Sequence, residues 1–512
     1  MFAWRSKPPL RPKPSNMEQT KASSERRRIC DCQQAQGCPK CNAAWAERVS
    51  SVPPSGSPAD PFGCSKVTID VQMHRFLLFF TIVWMPTAFR LDVQVNSPGQ
   101  IQQRPASTST DLIRGCMANE MHMYSLLAAA TGRMKFVTGD TLDRSDRPEQ
   151  YLAKAIITLR RYLEEGSTIT QQVIVDMFFL ATVEIYSRNF EGARAHLRII
   201  KFLIDKLGGL RSLDQPVIDM VWNGDMVAAC FLVAVPIFDS LPDPGPLPAL
   251  RTAQIEADLT ASARRPMGLA FLKLNHFFDL HMRAVVKEIV CVARTVQHFW
   301  QFSHARTSDR EWAAERAHAL IHRMLSTPAS PELLDERALK QECCRIAFIM
   351  WLAYMYSIGT TGVPSLPINV QKVRKLLPGN ATLLRRCVER ADVALGKSWA
   401  PHEEVLLWVV SLGALTSFDQ EDNAFFSQRV VQVAKKLKIR SYEQVDSLFE
   451  SYLWLDRLEQ GSGRKLARLV SHDSRDIIKE LRLGDRRDST TQLQFGALGL
   501  AIAQITKNVT EV

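Results

Sequence analysis

From Val67 onward, apolar residues recur every three to four positions, and short polar, glycine or proline stops interrupt them. No run alternates convincingly with a period of two, so the pattern predicts a body that is almost entirely helix. Phe76 to Phe89 is the most apolar stretch, but Arg75 and Arg90 bracket it after fourteen residues. That is too short to cross a bilayer, and it predicts a buried helix ending at Pro86. Ile113 to Phe136 and Tyr151 to Leu163 read as core-facing helices, the second with Ala155, Ile156, Leu159 and Leu163 on one stripe. Thr170 to Tyr186 and Phe190 to Leu207 predict a helical hairpin turning near Asn189, stopped by Gly208 and Gly209. Pro216 to Phe238 continues the pattern until four prolines in Leu241 to Pro248 end it. Further helices are expected near 266–304, 310–326, 331–357, 379–396, 402–418, 421–437 and 441–458.

These stops predict an arm and linker over 1–63, a first helical part over 64–240, a Pro-rich linker over 241–252, and a second helical part with a polar tail over 253–512. No strict repeat length emerges. The expected fold is all-α, an irregular multi-helix bundle or solenoid behind a disordered basic N-terminal arm.

Charge changes this picture only at the N-terminus. The net charge is +11, and residues 1–50 carry ten Lys and Arg against four Asp and Glu. Pro, Ser, Lys and Arg dominate there, and Val52 to Pro61 cannot hold a packed helix. The eleven cysteines include adjacent Cys343 and Cys344 and several isolated ones in apolar stretches, which fits a reducing compartment rather than a disulfide framework.

Catalytic constellations are scarce. His318 and His322 stand four apart on a predicted helix, but residue 319 is Ala where a zinc peptidase needs its general-base Glu; they read as surface or rim histidines. Gly461-Ser-Gly-Arg-Lys465 lacks both the glycine before its Lys and a preceding strand. Cys343 and Cys344 share a helix with Ile346, Phe348 and Ile349, so at least one thiol should fill core. No nucleophile elbow, dinucleotide fingerprint or paired-carboxylate motif is present, and the chain does not read as an enzyme.

The densest chemical signal lies in the arm. Arg26-Arg27-Arg28 precede Cys30, Cys32, Cys38 and Cys41, four thiols within twelve residues. Four thiolates suit one tetrahedral zinc ion, and the two-residue gap of Cys38-Pro-Lys-Cys41 lets both sulfurs face it. Arg26, Arg27, Arg28 and Lys40 are the candidate DNA-phosphate contacts. The other reading of the same residues is a disordered, cysteine-rich basic arm.

This segment resembles the N-terminal module of fungal zinc-cluster transcription factors, in which six cysteines hold two zinc ions. Cys30-Asp31 looks like the third cysteine with its following Asp, and Cys38 and Cys41 look like the fourth and fifth. The spacing places the first two at Thr20 and Ser23 and the sixth among Arg48 to Ser51. Cys32 is extra, and Cys64 lies too far downstream. The cluster is degenerate, and three matching cysteines cannot assemble two bridged zincs.

A broader resemblance covers roughly 66–470. Leu112 to Ala130, Phe190 to Arg198 leading to Leu210, and Glu450 to Arg457 look like the all-helical fungal-specific transcription factor domain. The resemblance implies a nuclear regulator, and the shortness of the 76–89 run leaves no expected membrane partner. Its arm would dock on DNA, often as a homodimer, with the transcription machinery or co-regulators as further partners and zinc as cofactor. A second reading from another class is a helical interaction scaffold or co-regulator that no longer binds DNA.

Overall fold

The computed structural model describes residues 65–453 apart from 85–92, 97–99, 104–106, 139, 141, 167, 240–242, 263–265, 275, 303–305, 328–334, 360–379, 395–398 and 418. The chain divides into two units. The smaller, residues 1–54 and 364–370, lies outside the described residues, and everything below concerns the larger.

The described residues form sixteen α-helices: α1 Val71–Leu78, α2 Ser107–Ala118, α3 Glu120–Arg133, α4 Pro148–Glu164, α5 Gln171–Ser187, α6 Phe190–Lys206, α7 Gln215–Leu232, α8 Ala249–Ala261, α9 Leu269–Lys273, α10 Leu280–Gln301, α11 Thr307–Leu325, α12 Glu336–Gly359, α13 Ala381–Ala394, α14 Glu403–Thr416, α15 Gln420–Lys436 and α16 Tyr442–Glu450. The fold is all-α as expected, with one small exception. Val93–Asn96 (β1) and Gln100–Gln103 (β2) pair antiparallel, with Val95 opposite Ile101. Four residues per strand are too few for alternation to stand out in the sequence.

Two buried clusters organise the helices. The first takes Phe76 and Phe80 from α1 and the π-helical turn that follows it, Leu126 and Leu127 from α3, Tyr151 and Leu152 from α4, Phe179 from α5, and Leu197 and Ile200 from α6. The second is built around Phe271, Phe278, Phe348, Trp351, Trp408 and Phe426. Phe271 alone meets Phe348, Trp408 and Tyr452 at centroid distances of 5.0, 5.0 and 4.9 Å. Helix α7 belongs to both clusters. Val217, Ile218, Val221 and Ala228 enter the first, whereas Met226, Ala229 and Cys230 enter the second.

Local chemistry sets the breaks. The stretch 113–136, read as one helix, is two: Asn119 is extended and its side chain accepts the Met121 N–H at 2.8 Å, capping α3. Likewise 266–304 splits into α9 and α10, and Asp279 caps the latter by accepting the Met282 N–H at 2.7 Å. The hairpin of α5 and α6 turns at Arg188, which is left-handed at φ 68°, and at Asn189, whose side chain caps Gly192. Gly208 and Gly209 take φ of 98° and 91°, and the Gly209 N–H closes α6 onto the Ile204 carbonyl at 2.9 Å.

Helix α7 ends at Leu232, six residues before the expected Phe238, because Val233 turns left-handed at φ 47°. Helix α8 is an addition to the expected elements: it starts at Ala249, inside the Pro-rich linker expected over 241–252. No helix among the described residues is long and apolar enough to cross a membrane. Pro86 lies outside them, but Phe76, Phe80 and Trp84 are buried, as the reading of 76–89 as core requires.

Candidate functional site

All eight residues singled out in the arm, Cys30, Cys32, Cys38, Cys41, Arg26, Arg27, Arg28 and Lys40, lie outside the described residues, as does the Gly461–Lys465 segment. The chemistry that the structure does place is a set of polar seams between apolar helices.

In the first cluster, Asp176 sits inside the apolar run of α5 and is 1% exposed. It pairs with His122 Nδ1 from α3 and accepts from Gln172 Nε2 at 3.2 Å. Burial pushes the Asp176 carboxyl up, and the two partners oppose that rise. Cys116 completes a Cys, His and Asp set in composition only. Its thiol donates to the His122 main-chain carbonyl at 3.5 Å, and burial first, then the Asp176 charge, push it far up. A protonated thiol turned onto a carbonyl is a packing group, not an activated nucleophile. The neighbouring Glu184 is also buried and raised by desolvation, and Asn189 Nδ2 donates to it at 2.7 Å.

A second seam joins α8, α10 and α11. Arg251 Nε donates to both Asp309 oxygens, at 3.2 and 3.1 Å, and the two side chains are almost fully buried. Arg316 pairs with Asp243 and with Glu288 at 2.6 Å, and Arg323 shares that Glu288 oxygen at 2.6 Å. Trp312 Nε1 donates to the Gly245 carbonyl at 2.9 Å. The proline-rich stretch is thus tied to α11 at Asp243 and Gly245.

Of the two histidines read as surface or rim residues, His318 departs from that reading. His318 is 2% exposed, and burial, aided by His322, lowers its pKa to about 4. His322 is half-buried; its Nε2 donates to the Phe238 carbonyl at 3.1 Å, and its Nδ1 meets Ser326 Oγ at 3.3 Å. Among the described residues no three His, Cys, Asp or Glu side chains are placed to hold a metal. Cys343 and Cys344 are both 0% exposed, with thiols raised by burial, so both fill core.

A small cleft lies between the start of α14 and the end of α15. Trp399, Glu403, Arg429 and Lys436 line it. Its charges are already matched: Lys436 pairs with Glu403 at 2.7 Å, and Arg429 with Asp392 at 2.6 Å.

Sequence reasoning passed over the buried seams. A usable signal was present, since Asp176 and Glu184 interrupt an otherwise apolar helix and buried carboxylates need partners. The identity of those partners was not readable, because His122 stands 54 residues away from Asp176.

Residues 97–227 match the family model of the fungal specific transcription factor domain. The matched segment begins just after β1 and runs through β2 and α2 to α6 into α7, so it contains the His122–Asp176 pair and stops within the helix shared by both clusters. No curated protein and no solved structure matches the chain. The match over 97–227 suggests a fungal transcription regulator.

Proposed function

We propose that the chain is a fungal transcription regulator of the zinc-cluster class, with a regulatory helical body and an incomplete DNA-binding module. The observation that carries this reading is the transcription-factor-domain match at 97–227, standing behind a basic, cysteine-rich arm. The donor set of the arm does not fit a two-zinc cluster, because three of the six expected cysteines are missing. It does fit one tetrahedral zinc, held by Cys30, Cys32, Cys38 and Cys41. Zinc bound there would supply the cross-link that so short a segment cannot obtain from a hydrophobic core.

Arg26, Arg27, Arg28 and Lys40 then contact phosphates rather than base edges, which gives binding with little sequence preference. Four such contacts predict a slope of roughly −4 for log affinity against log salt. A mobility-shift series on the full chain from low to high salt tests this, and binding indifferent to salt would sink the DNA reading. The working location is the nucleus, with co-regulators or the transcription machinery as partners and a homodimer as the assembled form.

The second reading is a helical scaffold or co-regulator that no longer binds DNA. The missing cysteines at Thr20 and Ser23, and among Arg48 to Ser51, are what favour it. Zinc content of the purified full chain, compared with a Cys38→Ser, Cys41→Ser double variant, separates the two. One zinc per chain lost in the variant supports the arm as a module, and no zinc in either supports the scaffold.

A further inference from the structure

Beyond α7 the chain makes a short return, 233–239, whose hold on the body differs from that of any helix around it. Its first residue, Val233, is buried in the second cluster, and its sixth, Phe238, is buried in the first. The residues between are half-buried or exposed, and Val235 is 44% exposed. Polar contacts to the main chain fix the segment instead. Asp225 Oδ2 of α7 accepts the Ile237 and Phe238 N–H groups at 2.7 and 2.9 Å. Arg194 of α6 donates to the Val235 carbonyl at 3.0 Å, and His322 of α11 donates to the Phe238 carbonyl. Lys201 Nζ lies 5.8 Å from the centre of the Phe238 ring. Arg194 and Asp225 inside the matched region, and His322 far beyond it, thus grip the segment.

Such a segment is held by a few hydrogen bonds and one aromatic anchor, whereas α5 and α12 are held by wide apolar burial. Segments with few buried apolar contacts open first. We propose that residues 234–239 are a latch that opens as a unit, ahead of either core, and that closing it adds polar ties from α6 and α7 to α11. The join is directional in chemistry. Asp225 is 1% exposed, and among the described residues its Oδ1 accepts no hydrogen bond, so the two latch N–H groups are what the carboxylate holds in a nearly dry seam. A latch of this design adds polar ties to the join that α7 already makes by packing in both clusters. This goes beyond the proposed function and does not depend on zinc or DNA.

Hydrogen exchange of the full chain, followed by mass spectrometry of its peptides, tests the latch. In the parent protein, peptides covering 234–239 should exchange well before those of α5 and α12. Arg194→Met keeps the aliphatic stem and removes the Val235 contact; it should speed latch exchange roughly tenfold, the effect of one lost hydrogen bond to a charged donor. Asp225→Asn should speed it further, since the charge-assisted acceptor is lost, with α5 and α12 unchanged in both variants. The proposal is overturned if the parent's latch peptides exchange only as fast as α5 and α12. It is equally overturned if the variants leave the latch unchanged or accelerate every peptide alike. The comparison within the parent decides even if a variant fails to fold.

Discussion

His196 of α6 is 2% exposed, neither ring nitrogen meets a protein partner among the described residues, and burial lowers its pKa to about 4. The unfolded chain takes up a proton near pH 6.5, whereas the folded chain resists until about 4. Between those values the unfolded state binds more protons, so this contribution to stability is complete above pH 6.5 and is lost as pH falls toward 4. Buried Asp176, Glu184 and Asp225 act with the opposite sign, because their raised carboxyls hold protons more tightly when folded. A comparison of variant and parent therefore isolates the histidine. His196→Leu should remove roughly 1.4 kcal/mol per pH unit from the slope between pH 6 and 4, read from urea midpoints across that range. An unchanged slope would mean that His196 titrates in contact with water. The burial of His196 and His318 was not legible from single positions. A histidine on an amphipathic helix looks the same in sequence at the rim and in the core, and only the packing of neighbouring helices decides.

At the scale of elements, periodicity located most helices, because 3.6-residue spacing is what the burial of one face leaves in a sequence. It failed at caps and short pieces. Asn119 and Asp279 stop one helix and start the next within a continuous apolar pattern, since a single side chain accepting one N–H is enough to redirect the chain. Helix α8 was missed for a different reason. Its apolar stripe is thin, with Ile255 and Leu259 buried, and its position depends on the buried Arg251–Asp309 pair. Removing one partner strands a charge in the seam. Arg251→Met should therefore cost about 3 kcal/mol or more, while Arg251→Met with Asp309→Leu should recover much of that loss. A double-mutant cycle by chemical denaturation reads the difference. If the double variant is no better than the single, the pair is not what seats α8.

For the whole molecule, the all-helical body was legible from the pattern, and its likeness to the fungal-specific domain is met over 97–227 by the family match. The way its parts join was not. Helix α7 gives a different face to each cluster, and its sequence carries no break to mark a boundary. The matched region ends at residue 227, yet Met226, Ala229 and Cys230 of the same helix pack in the second cluster. The helical body thus works as one connected structure, to which the arm brings the only dense run of cationic and thiol chemistry in the sequence. Phosphate contacts by Arg26, Arg27, Arg28 and Lys40 are the central claim of the proposed function. The most direct measurement is chromatin occupancy across the genome in cells expressing the full chain or a chain lacking residues 1–60. Loss of most occupied sites on deletion, with the helical body still expressed and folded, is the predicted result; an occupancy map unchanged by the deletion would contradict it and leave the helical body as a scaffold recruited by other proteins.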